Sequence, residues 1–222
     1  MWQALYDELA GRGFTVLAIA MDQRDAARPW IEAAQPTYPC LIDQDHTVAD
    51  LYDMVNVPQA VWIDEAGLIV RPPENAGASD DLRHRDKATR QLSAERLTER
   101  QRIKALYVDA VRDWVLNGSA SAHVPAAETV RSRMRVPNAP ISLAHAYFRL
   151  AQVLRRIGKS DEANAHFGEA SRLYPDSWNI WRQAAAKDAS GLAAGPEFWD
   201  RVEKLGERPY YLPIELKGMT SE

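Results

Sequence analysis

The sequence predicts an α/β unit followed by an all-α region, and three observations carry that reading. Residues 14–21 (FTVLAIAM) form a continuous apolar run ending at Asp22, the pattern of a strand buried on both faces as in a parallel sheet. Val57-Pro58 leads into the apolar run 60–63, and Asp64-Glu65-Ala66-Gly67 separates it from the apolar run 68–70. Two such runs joined by a Gly-containing loop read as a β-hairpin, with Gly67 where a positive φ is needed. From Ile141 onward the apolar residues recur only at helical spacing.

Taken in order, Trp2, Leu5, Tyr6 and Leu9 define a first helix that Gly11 and Gly13 end. The strand 14–21 follows. Residues 25–34 read as a helix stopped by Pro36 and Pro39, and Cys40-Leu41-Ile42-Asp43 as a short extended piece. Thr47-x-x-Asp50 is a capping-box-like start for a helix over 48–54. After the hairpin, Arg71-Pro72-Pro73 should break regular structure, and residues 77–81 form a loop.

Residues 82–104 hold eight Lys or Arg against Asp86, Glu95 and Glu99. No aromatic residues interleave with these charges, so they read as a solvated basic helical insertion at about 78–104 rather than a nucleic-acid patch. Residues 105–116 make a helix closed by Gly118, and 119–140 a linker with a short helix at 126–134.

The segments "RGFTVLAIAMD" and "YPCLIDQDHTVADLYDMVNVPQAVWIDEAGLIV" resemble the later part of a thioredoxin-like redoxin domain of the TlpA/ResA type. The resemblance covers roughly residues 1–77 plus a closing helix, giving a domain over 1–118. It implies a sheet flanked by helices, a cis bond at Val57-Pro58, and a backbone at Val57 and Pro58 that faces an extended substrate. It implies thiol–disulfide oxidoreductase chemistry too, but the family's Trp-Cys-x-x-Cys turn has no counterpart here. The strand before that turn would lie between strands 15–20 and 60–63. The resemblance therefore implies that the central strand and CxxC precede Met1, that the domain is N-terminally incomplete, and that the chain as written lacks disulfide-reductase activity.

Tyr147, Leu150, Ala151, Leu154, Gly158, Ala163, Phe167, Ala170 and Pro175 fall at the spacing of a tetratricopeptide repeat. This resemblance implies two antiparallel helices at 143–157 and 160–173, within a repeat-like region over 141–222. A single repeat needs neighbours to bury its apolar face. Trp178 and residues 181–185 begin a degenerate second repeat, Phe198, Trp199 and Val202 supply a further apolar face, and the tail 208–213 is extended on a surface.

Cys40 is the only cysteine, which excludes an intrachain disulfide and any CxxC. A nucleophilic role would need a nearby cation or helix N-terminus. Between Pro39 and Leu41-Ile42 it reads as a structural strand residue. Asp43, Asp45, His46 and Asp50 match no known metal loop and read as residues of a helix start. His145 and His166 lie on the two repeat helices and read as packing or surface histidines.

The composition, 46% hydrophobic and 26% charged, supports a real core. A net charge of −4 gives no reason to expect nucleic acid. No apolar run approaches a membrane span of ~20 residues, so the chain reads as soluble and, as written, cytoplasmic. No cofactor or metal is implied. The partner expected is a protein or peptide, met by the thioredoxin-like surface or by a groove of the repeat-like helices. The sequence thus supports an oxidoreductase homologue without its chemistry. Its alternatives are a non-enzymatic interaction module and a one-cysteine peroxiredoxin-like enzyme using Cys40.

Overall fold

Helix α1 (Trp2–Leu9) buries Leu5 and Leu9, one turn apart on a single face. Gly13, at φ +79°, turns the chain out of it. In this computed structural model residues 1–219 are described, except 87, 88, 90 and 190.

Strand β1 (Ala18–Ala20) pairs in parallel with β2 (Cys40–Ile42), and helix α2 (Arg24–Ala34) makes the crossover. Both strands are shorter than the apolar run 14–21 suggests, and Leu17 is exposed. The ladder has only three residues of β2 to pair with, because Pro39 precedes them and Asp43 is taken for a cap. Helix α3 (Thr47–Leu51) follows, at the carboxyl end of β2. Its cap is not the Thr47-x-x-Asp50 pair. The Asp43 carboxylate instead accepts the N–H groups of Thr47 (2.7 Å), Val48 (2.8 Å) and Ala49 (3.3 Å), satisfying donors that the first turn of any helix leaves open.

The hairpin is β3 (Gln59–Ile63) and β4 (Ile69–Asn75), antiparallel, and the Val57–Pro58 peptide is cis. Gly67 has φ +77°, and Asp64 Oδ1 accepts from the N–H of Ala66 and Leu68 to close the turn. Strand β4 continues through Arg71-Pro72-Pro73, where the sequence predicts a break, and the disturbance shows instead as a register shift, with Pro72 and Pro73 falling between the Trp62–Arg71 and Ala60–Glu74 pairs. It pairs on one side only among the described strands, and irregularities flank Trp62, opposite Arg71. Proline is tolerated at such an edge because no ladder there needs its missing donor.

Helix α4 (Ala94–Asn117) is one continuous helix, so no boundary separates the basic stretch from the closing helix. Ser93 Oγ caps it by accepting the N–H of Arg96 at 3.3 Å. Its first turns are solvated and carry the Glu99–Arg102 pair, and its later turns bury Tyr107, Ala110 and Val111. Those three join Leu5, Leu9 and Trp62 in a first core, where Trp62 Nε1 donates to Tyr107 Oη at 3.0 Å. The stretch before α4 is not free of the fold: Leu82 packs beside Trp178 and Tyr210, and Arg83 donates to the carbonyls of Gly206 and Arg208. Residues 87, 88 and 90 of the expected insertion lie outside the described residues.

Helix α5 (Ala127–Arg133) falls where a short helix was expected in the linker. Helices α6 (Ala139–Arg156) and α7 (Ser160–Leu173) form a hairpin turned by Gly158 at φ +82°. A three-residue connection makes them antiparallel. Ala144, Ala151, Ala163 and Ala170 let them approach, and Phe148 and Phe167 meet edge to face at 5.5 Å between them. The two-turn helices α8 (Trp178–Ala184) and α9 (Pro196–Glu203) build a third core, in which Trp178, Phe198, Val202 and Tyr210 pack. The chain then returns across the hairpin, and Ile214 and Leu216 enter the first core.

Arg71 is the largest of the fully buried side chains among the described residues, at 1% exposure. It forms an ion pair with Glu74, donates to the carbonyls of His123 (2.6 Å) and Glu215 (2.8 Å), and lies over the Trp62 ring. Removing one partner of a buried pair costs about 3–5 kcal/mol. Arg71→Ala should lower stability by that amount in chemical denaturation. Truncating a buried Phe costs about 3–5 kcal/mol as well. Phe167→Ala should show that loss, whereas the exposed Val153→Ala should stay within about 0.5 kcal/mol.

Candidate functional site

Val57 and Pro58 are exposed at the tip of a loop whose backbone is otherwise tied down. Asn56 makes most of these ties. Its Oδ1 accepts from Val57 N at 2.9 Å and from Arg182 at 3.0 Å, its own N–H donates to Gln59 Oε1, and its Nδ2 donates to Tyr210 O. Helix α8 holds the approach to the loop: Asn179 N donates to Val55 O at 3.1 Å, and Asn179 Nδ2 to Met54 O at 2.6 Å. Tyr211 Oη donates to Val57 O at 2.7 Å, and Ala76 N to Pro58 O at 3.2 Å. The Val57 carbonyl is therefore already engaged by the tail. Asn56, Asn179, Arg182 and Tyr211 were not singled out from the sequence. Asn56 could have been, as an amide-bearing residue next to an exposed Val-Pro. The others lie more than a hundred residues away, with no local signal.

Cys40 begins β2 and is half-buried, opposite Ala18. It is a free thiol. Its neighbour Tyr38 stacks edge-on against Tyr6 at 5.7 Å, and burial raises the Tyr38 hydroxyl above its ordinary pKa.

The acids of residues 43–50 serve the joint between α3 and α6. Asp45 pairs with Arg156, while Asp50 meets Arg149 and His145, each at 3.1 Å. Among the described residues no group of three or more His, Cys, Asp or Glu side chains is arranged to hold a metal. His145 and His166 do not face each other; His166 stacks on Tyr147 and His145 packs edge-on against Tyr174. No helix among the described residues is long and apolar enough to cross a membrane.

Comparison with known proteins bears on this N-terminal geometry. Residues 1–71 match the model of the AhpC/TSA family, a thioredoxin-like redoxin family, over a little under a third of the 222-residue chain. The matched stretch spans α1 to the start of β4, the elements that carry Cys40 and the Val57–Pro58 loop. No curated protein and no solved structure gives a significant match. The N-terminal segment is thus of thioredoxin-like redoxin type, continued by helices beyond the matched stretch.

His46 sits in this joint at 4% exposure, its ring 5.2 Å from that of Phe148. Burial holds its imidazole below the ordinary pKa, against the pull of Asp43, Asp50 and Asp22 and with help from Arg149. The unfolded chain therefore takes up this proton first, from about pH 6.5 downward. Stability from this group is complete above that pH and is lost as pH falls toward the lower folded pKa. His46→Asn, which keeps a residue tolerant of the φ +57° found there, should flatten the decline in melting temperature between about pH 7 and 5.

Proposed function

We propose that this chain is a homologue of the TlpA/ResA-type thiol–disulfide oxidoreductases whose Val57–Pro58 edge and repeat-like helices contact protein or peptide, without disulfide-reductase turnover of its own. The single observation behind it is the redoxin family match over residues 1–71. The order strand, helix, strand, short helix and closing hairpin agrees with that match. The chemistry follows from the thiol count. Disulfide exchange passes through a mixed disulfide that a second thiol must resolve. Cys40 is the chain's one thiol, so any mixed disulfide it formed would wait for an external thiol.

In this reading Val57 and Pro58 are contact residues for an extended segment. Helices α6 and α7 are a tetratricopeptide-like pair, with α8 and α9 extending the apolar packing beyond it. The domain division is a redoxin unit over 1–118 and a helical region from 141, and the compartment is the cytoplasm.

A second reading is a one-cysteine peroxidase using Cys40, favoured by the same match to a family of peroxiredoxin and redoxin type. Its attacking sulfur would need an activating cation or helix N-terminus beside it.

Two assays separate these. In an insulin-reduction assay with dithiothreitol, the 222-residue chain should give the same rate as no protein, beside an active thioredoxin control; turnover above that background would refute the first reading. In a hydrogen-peroxide consumption assay the wild type and Cys40→Ser should be indistinguishable. Peroxide consumption lost in Cys40→Ser would establish the second reading.

A further inference from the structure

A groove of about 720 Å³ lies between β4, α9 and the tail, a volume suited to a small organic ligand. The tail is a fixed wall of it, since Tyr210, Ile214 and Leu216 belong to the cores. Five cations line the groove, Arg133, Arg135, Arg201, Lys204 and Arg208, against the three carboxylates of Glu74, Asp176 and Glu215. The lining is therefore positive in a chain whose net charge is −4. Those carboxylates already have cations: Glu74 pairs with the buried Arg71, Glu215 with Arg133, and Asp176 faces Arg208 at 3.7 Å. Arg135 is engaged by Asp53 at 3.7 Å and donates to Tyr174 Oη at 3.0 Å.

Arg201 and Lys204 stand one turn apart at the end of α9. Arg201 is half-buried and donates to the carbonyl of Pro175 at 2.5 Å. Its guanidinium lies 5.0 Å from the Trp178 ring centre and 5.3 Å from that of Trp181. A guanidinium stays charged throughout the ordinary pH range. Burial, Arg182 and Arg208 all disfavour that charge here, and together they outweigh the pull of Asp176. The fold leaves this cation under-compensated at the wall of a groove, with the Lys204 ammonium beside it.

The rest of the lining cannot take over that role. Pro72 and Pro73 of β4 and Pro209 and Pro213 of the tail present rings to the groove, and proline has no N–H to donate. Nearby polar groups are used within the fold, Tyr211 Oη on the Val57 carbonyl and Asn75 Nδ2 on the Leu212 carbonyl. A ligand would find charge on α9 and apolar surface on the prolines.

We propose that this groove binds a small organic anion, with a carboxylate or phosphate head on Arg201 and Lys204 and an apolar body along Pro72, Pro73 and Pro213. The site uses no thiol and stands independently of the redoxin reading.

The test uses the full chain and a fluorescent amphipathic anion, anilinonaphthalene sulfonate. The folded wild type should bind it saturably at one site per chain, with enhanced emission. Lys204→Glu reverses an exposed charge, and should weaken binding roughly tenfold or more while circular dichroism stays unchanged. Lys204→Arg should keep the wild-type affinity, and so should Arg172→Gln on the distant surface of α7. Octanoate, phenyl phosphate and octanol then compete for the probe. Displacement by octanoate or by phenyl phosphate, with octanol roughly tenfold weaker or worse, supports the site and tells a carboxylate head from a phosphate head. The proposal is overturned if the folded wild type shows no saturable binding, or if folded Lys204→Glu binds within about twofold of wild type. It is overturned as well if neither acid displaces the probe, or if octanol displaces it as readily as the acids do.

Discussion

A single buried guanidinium holds three distant parts of this chain together. Arg71 stands in the middle of β4, where its charge has almost no water to face. Taking such an ion out of water costs several kcal/mol unless geometry and hydrogen bonds compensate. The compensation here comes from Glu74 on the same strand, from the carbonyl of His123 after α4, and from that of Glu215 in the tail. The Trp62 face covers it at 5.3 Å. Burial raises the Glu74 carboxyl pKa, and the Arg71 hydrogen bond opposes that shift. Loss of the loop after α4 or of the tail would leave a buried guanidinium N–H without its acceptor, so the hairpin, that loop and the tail support one another.

The same reasoning separates what could be read in the sequence from what could not. The α6–α7 hairpin was legible because its alanines and Phe167 sit at helical intervals and Gly158 marks the turn, all within thirty-odd residues. The β3–β4 turn was legible because Asp64 and Gly67 supply its chemistry locally. Arg71-Pro72-Pro73 misled because prolines signal a break, and only the one-sided pairing of β4 shows why they are tolerated. The cap of α3 misled in a smaller way: Asp43 lies four residues before the first turn, and a tight loop brings its carboxylate back over the helix end. At the candidate site Val57 and Pro58 could be picked out, but Asn56 and its remote partners could not. Their roles depend on Arg182, Tyr210 and Tyr211 arriving from far along the chain.

The joint between the redoxin-like segment and the helices beyond it is polar where it might have been greasy. Arg149 and Arg156 on α6 meet Asp45 and Asp50, Arg149 also donates to Asp45 O, and Tyr174 Oη donates to Asp53 at 2.6 Å. Asn179 reaches across to the backbone of Met54 and Val55. Directional contacts of this kind fix orientation more than they add stability, since exposed ion pairs contribute at most about 1 kcal/mol each. The position of the Val57–Pro58 loop relative to α8 is thereby set by hydrogen-bond geometry.

Ile214 and Leu216 complete a core whose other members include Leu5, Leu9 and Trp62. On the ribosome the hairpin emerges some 140 residues before the segment that covers it, counting from Asn75 to Leu216. At about 5–20 residues per second that interval is on the order of ten seconds or more. Through that time the buried face of Trp62 and the side chain of Arg71 have no tail to cover them. Nascent chains of this protein therefore present an open hairpin edge late into synthesis, a state suited to capture by chaperones and vulnerable to pairing with neighbouring chains on the same message.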